Sequence, residues 1–433
     1  MKLRNLLHIR ENDIHVIGTL IPPFFCRVSS IMEDFIQLCN NNSVETALDL
    51  IKEKYPPTEF EAFEERINKV KDKLFVNDDY RETPKIDLSA KISTLTLNVT
   101  RKCNLKCSYC FEDSGYRKLG NMPFAVAKKA IDTFFTDNSS NWVIIFTGGE
   151  PLLNFNLLKE VTEYIDNKGL KVEYRIKTNA TLLDDGKMDF LIKNNFKIQV
   201  SLDGNAKAHD THRKFANGKG SFEIVDNTIK KLIEKNYGSN VSISGTVTHQ
   251  TIKFIEDSYS YLNSYDVIRY DLKTVMPNSK NQYVFDKNDY KISCYSLLKN
   301  NKYMMDNAKK FTNVKNNIKI CGIGLWNITV DTDAKIYPCY RMCGYKEYVI
   351  GNLDELVMPF KLPQRLIDIY KMEDNIECSK CALINSCKSG CYTDKLVHEL
   401  ENNKCFQQVK IILEDIICNE LNTKKIHLLL DVV

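Results

Sequence analysis

No apolar run in this chain approaches the roughly 18–20 residues that cross a bilayer. The best candidate, HVIGTLIPPFFCRV, is short and is broken by Pro22 and Pro23, so no membrane partner is expected. The N-terminus, MKLRNLLHIREND, lacks the apolar core and cleavage site of a secretory signal, and the expected location is the cytoplasm. Charge of one sign is missing too. A formal net charge of +4 over 433 residues gives no reason to expect a nucleic-acid partner. No internal repeat of useful length is found. What the chain has in quantity is cysteine, fifteen in all, and a reducing compartment argues against a disulfide framework. Eleven of them fall into two groups, three between Cys103 and Cys110 and eight between Cys321 and Cys405. Such clustering points to metal. Cys26, Cys39, Cys294 and Cys418 lie apart and read as buried or incidental thiols.

Hydrophobic patterning divides the chain. Residues 1–88 form a first unit, in which DIHVIGTL alternates like a strand and SVETALDLIKEKY sets Val44, Ala47, Leu48 and Ile51 on one helical face. A second helix follows the prolines, with Thr58 and Glu61 as its expected capping box and Phe60, Phe63, Ile67, Val70 and Leu74 as its apolar stripe. This layout is compatible with a winged-helix module and equally with a plain packing subdomain. Over 89–280 strands alternate with helices: STLTLNVT, WVIIFTGG, KVEYRIKTNA, KIQVSLDG, NVSISGTVT and VIRYDLKTVMP. That is the βαβ signature of a parallel sheet or partial six-stranded α/β barrel. Cys103, Gly148, Asn179 and Asp203 each follow one of the first four strands, on the rim where parallel barrels build their sites. A polar bridge, 281–320, leads to a cysteine-rich region, 321–433, closed by a helix with Val409, Ile412, Leu413 and Ile416 on one stripe.

Structural zinc takes four ligands, and CNLKCSYC supplies Cys103, Cys107 and Cys110 with no fourth Cys or His nearby. A cube of iron and sulfide held by three thiolates leaves one iron open for a ligand. The C-x-x-x-C-x-x-C spacing, with Tyr109 inside it, resembles the cluster motif of radical S-adenosylmethionine (SAM) enzymes. FTGGEP strengthens the likeness, since glycines allow close backbone approach and a carboxylate accepts from an ammonium group. The resemblance implies that Gly148, Gly149, Glu150 and Pro151 contact SAM. It extends the SAM site to Thr178 and Asn179 of KTNATLL, Ser201 and Asp203 of VSLDG, and Arg213. His209 and His212 have the spacing of zinc ligands, but two ligands do not make a site and a loop is expected there. The implied chemistry is reductive cleavage of SAM to a 5′-deoxyadenosyl radical, which removes hydrogen from an unactivated carbon.

Cys321, Cys339, Cys378, Cys381, Cys387, Cys391 and Cys405 resemble the SPASM auxiliary-cluster pattern; two zinc sites would use the same thiols. The resemblance assigns Cys378, Cys381, Cys387 and Cys405 to one 4Fe–4S cluster and Cys321, Cys339 and Cys391 to another, three clusters in all with the radical SAM one. Cys343, or an open iron, completes the last set. The family's glycine before KIYPC is Ala334 here. IYPCYRMCGYKEYVIGNLDE resembles the subgroup that forms thioether links in six-cysteine peptides and in a quinohemoprotein amine dehydrogenase subunit. That implies a precursor peptide whose leader binds the N-terminal unit as an added strand, and a flavodoxin or ferredoxin as electron donor. The runner-up is an anaerobic sulfatase maturase. Those enzymes carry an acid directly after the second SPASM cysteine, where this chain has Tyr340. Carbon–carbon crosslinking and epimerisation are further variants, and no catalytic base is legible.

Overall fold

A computed structural model describes residues 2–76 (short of 4–6, 12–13 and 21–22), 92–110, 120–136, 142–275 and 322–356, with isolated residues from 283 to 296 and Gln364. The chain opens with β1 (Lys2–Leu3), β2 (Leu7–Glu11), β3 (Ile14–Leu20) and β4 (Pro23–Arg27). The last three form an antiparallel sheet in the order β2-β3-β4. Three helices follow: α1 (Ser30–Cys39), α2 (Val44–Lys54) and α3 (Pro57–Leu74). A short β5 (Phe75–Val76) then pairs with β1.

Helix α2 is capped by Ser43, whose side chain accepts from the Thr46 amide. The capping box expected from Thr58 and Glu61 does not form. Pro56 is the cap residue and Pro57 opens α3, because a ring with fixed φ and no N–H suits the first turn better than any residue behind it. Phe60, Phe63, Ile67, Val70 and Leu74 are buried as their spacing requires. Phe35 of α1, a helix the patterning did not reveal, meets Phe63 and Phe75 edge-on at 5.2 and 5.9 Å.

The six strands expected from alternation are all present: β6 (Thr94–Thr100), β7 (Trp142–Gly148), β8 (Val172–Thr178), β9 (Lys197–Ser201), β10 (Val241–Val247) and β11 (Arg269–Thr274). They pair in parallel and in chain order. The crossovers carry α4 (Phe124–Phe134), α5 (Phe155–Lys168), α6 (Asp185–Lys193), α7 (Ala206–His212), α8 (Phe222–Glu234) and α9 (Ile255–Leu262). The sheet also continues past the boundary expected at 280. β12 (Asn327–Val330) lies parallel to β6, and β13 (Lys335–Tyr337) and β14 (Gly351–Asn352) extend it in antiparallel fashion.

The strands have two chemically distinct faces. Leu95, Leu97, Ile144, Phe146, Ile176, Ile198, Val200 and Ile243 are buried in one continuous core with the helices. Each such side chain contributes about 1.5–3 kcal/mol. On β8, β9 and β10 the intervening positions are polar or charged and line a cavity. A second, separate core belongs to the N-terminal unit. Among the described residues no helix is long and apolar enough to cross a membrane.

Candidate active site

β6 delivers the chain to the cysteine loop. Thr100, Arg101 and Lys102 lead out of the strand after a register shift between Asn98 and Thr100. The loop is fastened to the last residue of α7 and to the segment that follows it. The Lys106 amide donates to the Lys214 carbonyl at 2.7 Å, and the Ser108 amide to the His212 carbonyl at 3.3 Å. The Cys110 amide closes a turn onto the Cys107 carbonyl at 3.0 Å. Cys103, Cys107 and Cys110 all face one cavity of about 980 Å³ at the C-terminal ends of the strands.

Their three sulfur atoms do not all lie within 4.8 Å of one another. Thiolates sharing one zinc ion stand only about 3.8 Å apart, so the spacing suits a larger group. Burial pushes the Cys103 and Cys107 thiols up to about 12, so a cation is needed to hold them as thiolates. The Leu105 amide and the Asn179 side-chain amide donate to the Cys103 sulfur at 3.4 and 3.8 Å. This donor set fits an iron–sulfur cluster gripped at three corners.

Gly148 and Gly149 end β7 and form part of the cavity wall. Their nearest neighbours are the backbone of the cysteine loop. A Cβ on Gly148, at φ +137°, would come within 2.2 Å of the Thr100 carbonyl oxygen, and one on Gly149 within 2.2 Å of that of Lys102. The Gly149 and Glu150 amides donate to those same two carbonyls, at 2.9 and 2.8 Å. The glycines therefore let strand β7 seat the cysteine loop.

Glu150 was expected to reach a ligand's ammonium group. Instead it is fully buried behind the cavity wall, where its carboxylate accepts from the Leu152 amide at 3.1 Å, the Thr178 hydroxyl at 2.6 Å and the Asn179 amide at 2.7 Å. Burial pushes its carboxyl up to about 7 against the pull of these donors. Pro151 is buried beside it at the start of a short 3-10 turn. Glu150 thus ties the end of β7 to the end of β8, and fixes Thr178 and Asn179 on the rim. Asn179 in turn donates to Asn104 at 3.0 Å.

Ser201 lines the cavity at the end of β9. Asp203, two residues on, is buried. It accepts from the Tyr109 hydroxyl and the Thr246 amide, and pairs with Arg213 at 3.0 Å. The Arg213 guanidinium sits over the Tyr109 ring at 5.5 Å. Burial works against its charge, yet Asp203 beside it raises its pKa well above the ordinary value. Of the expected SAM residues, Tyr109, Gly148, Gly149, Thr178, Asn179, Ser201 and Arg213 meet at the cavity, while Glu150, Pro151 and Asp203 support them from behind.

His209 and His212 stand on α7, not on a loop, because Asn205 caps that helix by accepting from the Ala208 amide. All their ring nitrogens are occupied. His209 accepts from the Asp203 amide and bonds Ser221, while His212 bonds Ser108 and Thr248 at 2.7 and 2.8 Å. They position the loops and leave no nitrogen for a metal.

Of the second cysteine group, Cys339 and Cys343 flank a short turn, Tyr340–Met342, and Tyr340 and Arg341 line the same cavity. Cys321, Cys378, Cys381, Cys387, Cys391 and Cys405 lie outside the described residues. Ala334, where the resemblance leads one to expect glycine, adopts the left-handed conformation at φ +64°. Two features escaped the sequence. One is the buried pair of Arg101 with Asp331, which joins the cysteine loop to β12. The other is the row of charges on the inner strand face, legible only in the alternation of Glu173, Arg175 and Lys177.

Residues 97–262 match the family model described as the radical SAM superfamily. Over these residues the chain is similar to the radical SAM superfamily. Among known proteins, an uncharacterized protein of Methanocaldococcus jannaschii is 35% identical over 197 residues, 42% of this chain and 66% of that one. The cysteine-type anaerobic sulfatase-maturating enzyme of Clostridium novyi is 25% identical over 70% of this chain and 88% of its own length. Streptococcus suis SuiB, solved with S-adenosylmethionine, shares the fold with a TM-score of 0.54 at 16% identity, over 93% of this chain and 98% of that one. The similarity thus runs well beyond residues 97–262, in sequence to the sulfatase-maturating enzyme and in fold to SuiB.

Proposed function

We propose that this radical SAM enzyme modifies a ribosomally made precursor peptide, linking a cysteine sulfur to the carbon of another residue as a thioether. Cys103, Cys107 and Cys110 would hold the 4Fe–4S cluster, and Gly148, Gly149, Thr178, Asn179, Ser201 and Arg213 would surround SAM. When bound, the two together supply a radical able to take hydrogen from an unactivated carbon. The Asp203–Arg213 pair and the Tyr109 hydroxyl fasten the cysteine loop to the end of β9. The second cysteine group would hold two auxiliary clusters, which suits a reaction that leaves one surplus electron on the product.

The observation carrying this reading is at Tyr340. It lines the cavity at the position where sulfatase maturases, by resemblance, carry an acid. Among the described residues on the wall the one carboxylate is Glu173, which is paired with Arg175. Among the described residues that leaves no unpaired carboxylate on the wall to act as base in oxidising a hydroxyl or thiol to an aldehyde. A sulfatase-maturase activity is the second reading, favoured by the length of the match to the Clostridium novyi enzyme. SuiB, solved also with its precursor peptide SuiA, supports a peptide as substrate. The sheet β2-β3-β4 offers edge strands on which a leader would add, and a flavodoxin or ferredoxin would deliver electrons.

The test is to incubate the reconstituted enzyme with SAM, reductant and the precursor encoded beside it. A product two hydrogens lighter, with a thiol no longer open to alkylation, supports the thioether. Loss of hydrogens with all thiols alkylatable indicates a carbon–carbon link, and deuterium incorporation without other mass change indicates epimerisation. A hydrazide-reactive aldehyde would establish the sulfatase-maturase reading instead.

A further inference from the structure

The cavity has a strong charge imbalance that the radical chemistry does not use. Seven arginines and lysines line it against a single carboxylate among the described residues. Three of the seven have acidic partners: Arg175 with Glu173, Arg213 with Asp203 at 3.0 Å, and Lys273 with Asp271 at 3.2 Å. Lys177, Lys197 and Arg269 have no carboxylate partner among the described residues. The Lys177 ammonium lies 4.0 Å from the centre of the Tyr340 ring, and Lys197 donates to the neutral side chain of Asn240.

Strand register places these groups in order. Lys177 on β8 is opposite Gln199 on β9, which is opposite Ser242 on β10, which is opposite Arg269 on β11. This single row of donors crosses four strands, about 14 Å at the usual strand spacing. Lys197 stands in the next row, opposite Arg175. Lys177 precedes Thr178 and Asn179 on the rim, so the row begins beside the candidate SAM site. An extended peptide spans such a distance in about four residues.

The geometry points to an acidic peptide segment as the substrate, with Asp or Glu side chains near the modified residue seated on the row from Lys177 to Arg269. This rests on the peptide-modifying role proposed above and adds the substrate's chemical class. Charged groups facing a cleft of one sign raise the local concentration of an opposite charge and penalise a like one. An acidic peptide satisfies the unpaired cations, and a neutral one leaves them unmatched.

The experiment uses the full chain, reconstituted anaerobically with its clusters and SAM. The probes are two short fluorescein-labelled, leaderless peptides with one cysteine each. One carries Asp and Glu around the cysteine and the other Asn and Gln at the same places. The acidic peptide is expected to bind roughly tenfold more tightly at low ionic strength, with the advantage shrinking as salt is added. The double substitution Lys177→Gln with Arg269→Gln should remove most of that advantage, and the charge-keeping pair Lys177→Arg with Arg269→Lys should retain it. Equal affinity for both peptides overturns the acidic preference and leaves the peptide reading standing. Binding of neither peptide overturns the acidic preference, while the precursor assay above decides the peptide-modifying role separately. A preference that survives the double glutamine variant overturns the placement on this row.

Discussion

His209 shows how a residue with the spacing of a metal ligand is absorbed by structure. It is fully buried, accepts at Nδ1 from the Asp203 amide and donates from Nε2 to Ser221, a pattern that requires the neutral ring. Burial pushes its pKa down from 6.5 to about 3; the opposing charges nearest it, Asp203 and Arg213, act in opposite directions. Above pH 6.5 the ring is neutral folded or unfolded. Between pH 6.5 and about 3 only the unfolded chain takes up the proton, so stability is lost as the pH is lowered, at up to about 1.4 kcal/mol per unit. Urea melts at pH 7 and pH 5 should therefore show the wild type losing about 1–2 kcal/mol more than His209→Gln. Equal losses would mean the buried ring accepts its proton. Single residues of this kind were the least legible part of the sequence. The identity and place of Glu150, Asp203 and His209 were readable, but which way each side chain turns depends on donors from strands far apart in the chain.

Strands were legible where alternation runs over seven residues, as in β6 and β8, or where a short apolar run is bounded by turn residues, as in β7. The four residues of β12 are too few to show a period and sit inside a cysteine pattern that drew the reading toward metal. That strand matters for the site, because Asp331 at its end accepts from Arg101 Nε at 3.0 Å and from Asn98 at 3.1 Å, with both members of the ion pair about 1% exposed. Asp331→Asn would leave a buried guanidinium without its charge partner, and should cost about 3–5 kcal/mol in denaturant melts. A cost below about 1 kcal/mol would show that the pair does not join β12 to the cysteine loop. Gly149→Ala probes the same loop from the other side. Its methyl meets the Lys102 carbonyl at 2.2 Å, and backbone cannot swing aside as a side chain can. Displacing the loop by about 1 Å should lower 5′-deoxyadenosine formation roughly a hundredfold, read by chromatography of reactions without peptide. Near-normal formation would show that the loop tolerates the shift.

At the scale of the whole molecule, the described residues contain two hydrophobic cores that share no side chain. One lies beneath α1 to α3 and the other between the parallel sheet and its helices. The N-terminal sheet pairs only within its own unit, as does β1 with β5, and the barrel sheet starts at Thr94. Contacts that are distant and unshared contribute nearly independently, so removal of residues 1–88 takes away one core and leaves the other intact. If the N-terminal unit serves recognition, the truncated enzyme should cleave SAM within roughly twofold of the full chain while its KM for a leader-bearing precursor rises and that for a leaderless peptide does not. Anisotropy with labelled leader alone separates the outcomes: tight binding retained after truncation would move recognition to the barrel. Loss of SAM cleavage itself would mean that the first unit supports the radical site, and that the two cores are coupled although they share no side chain among the described residues.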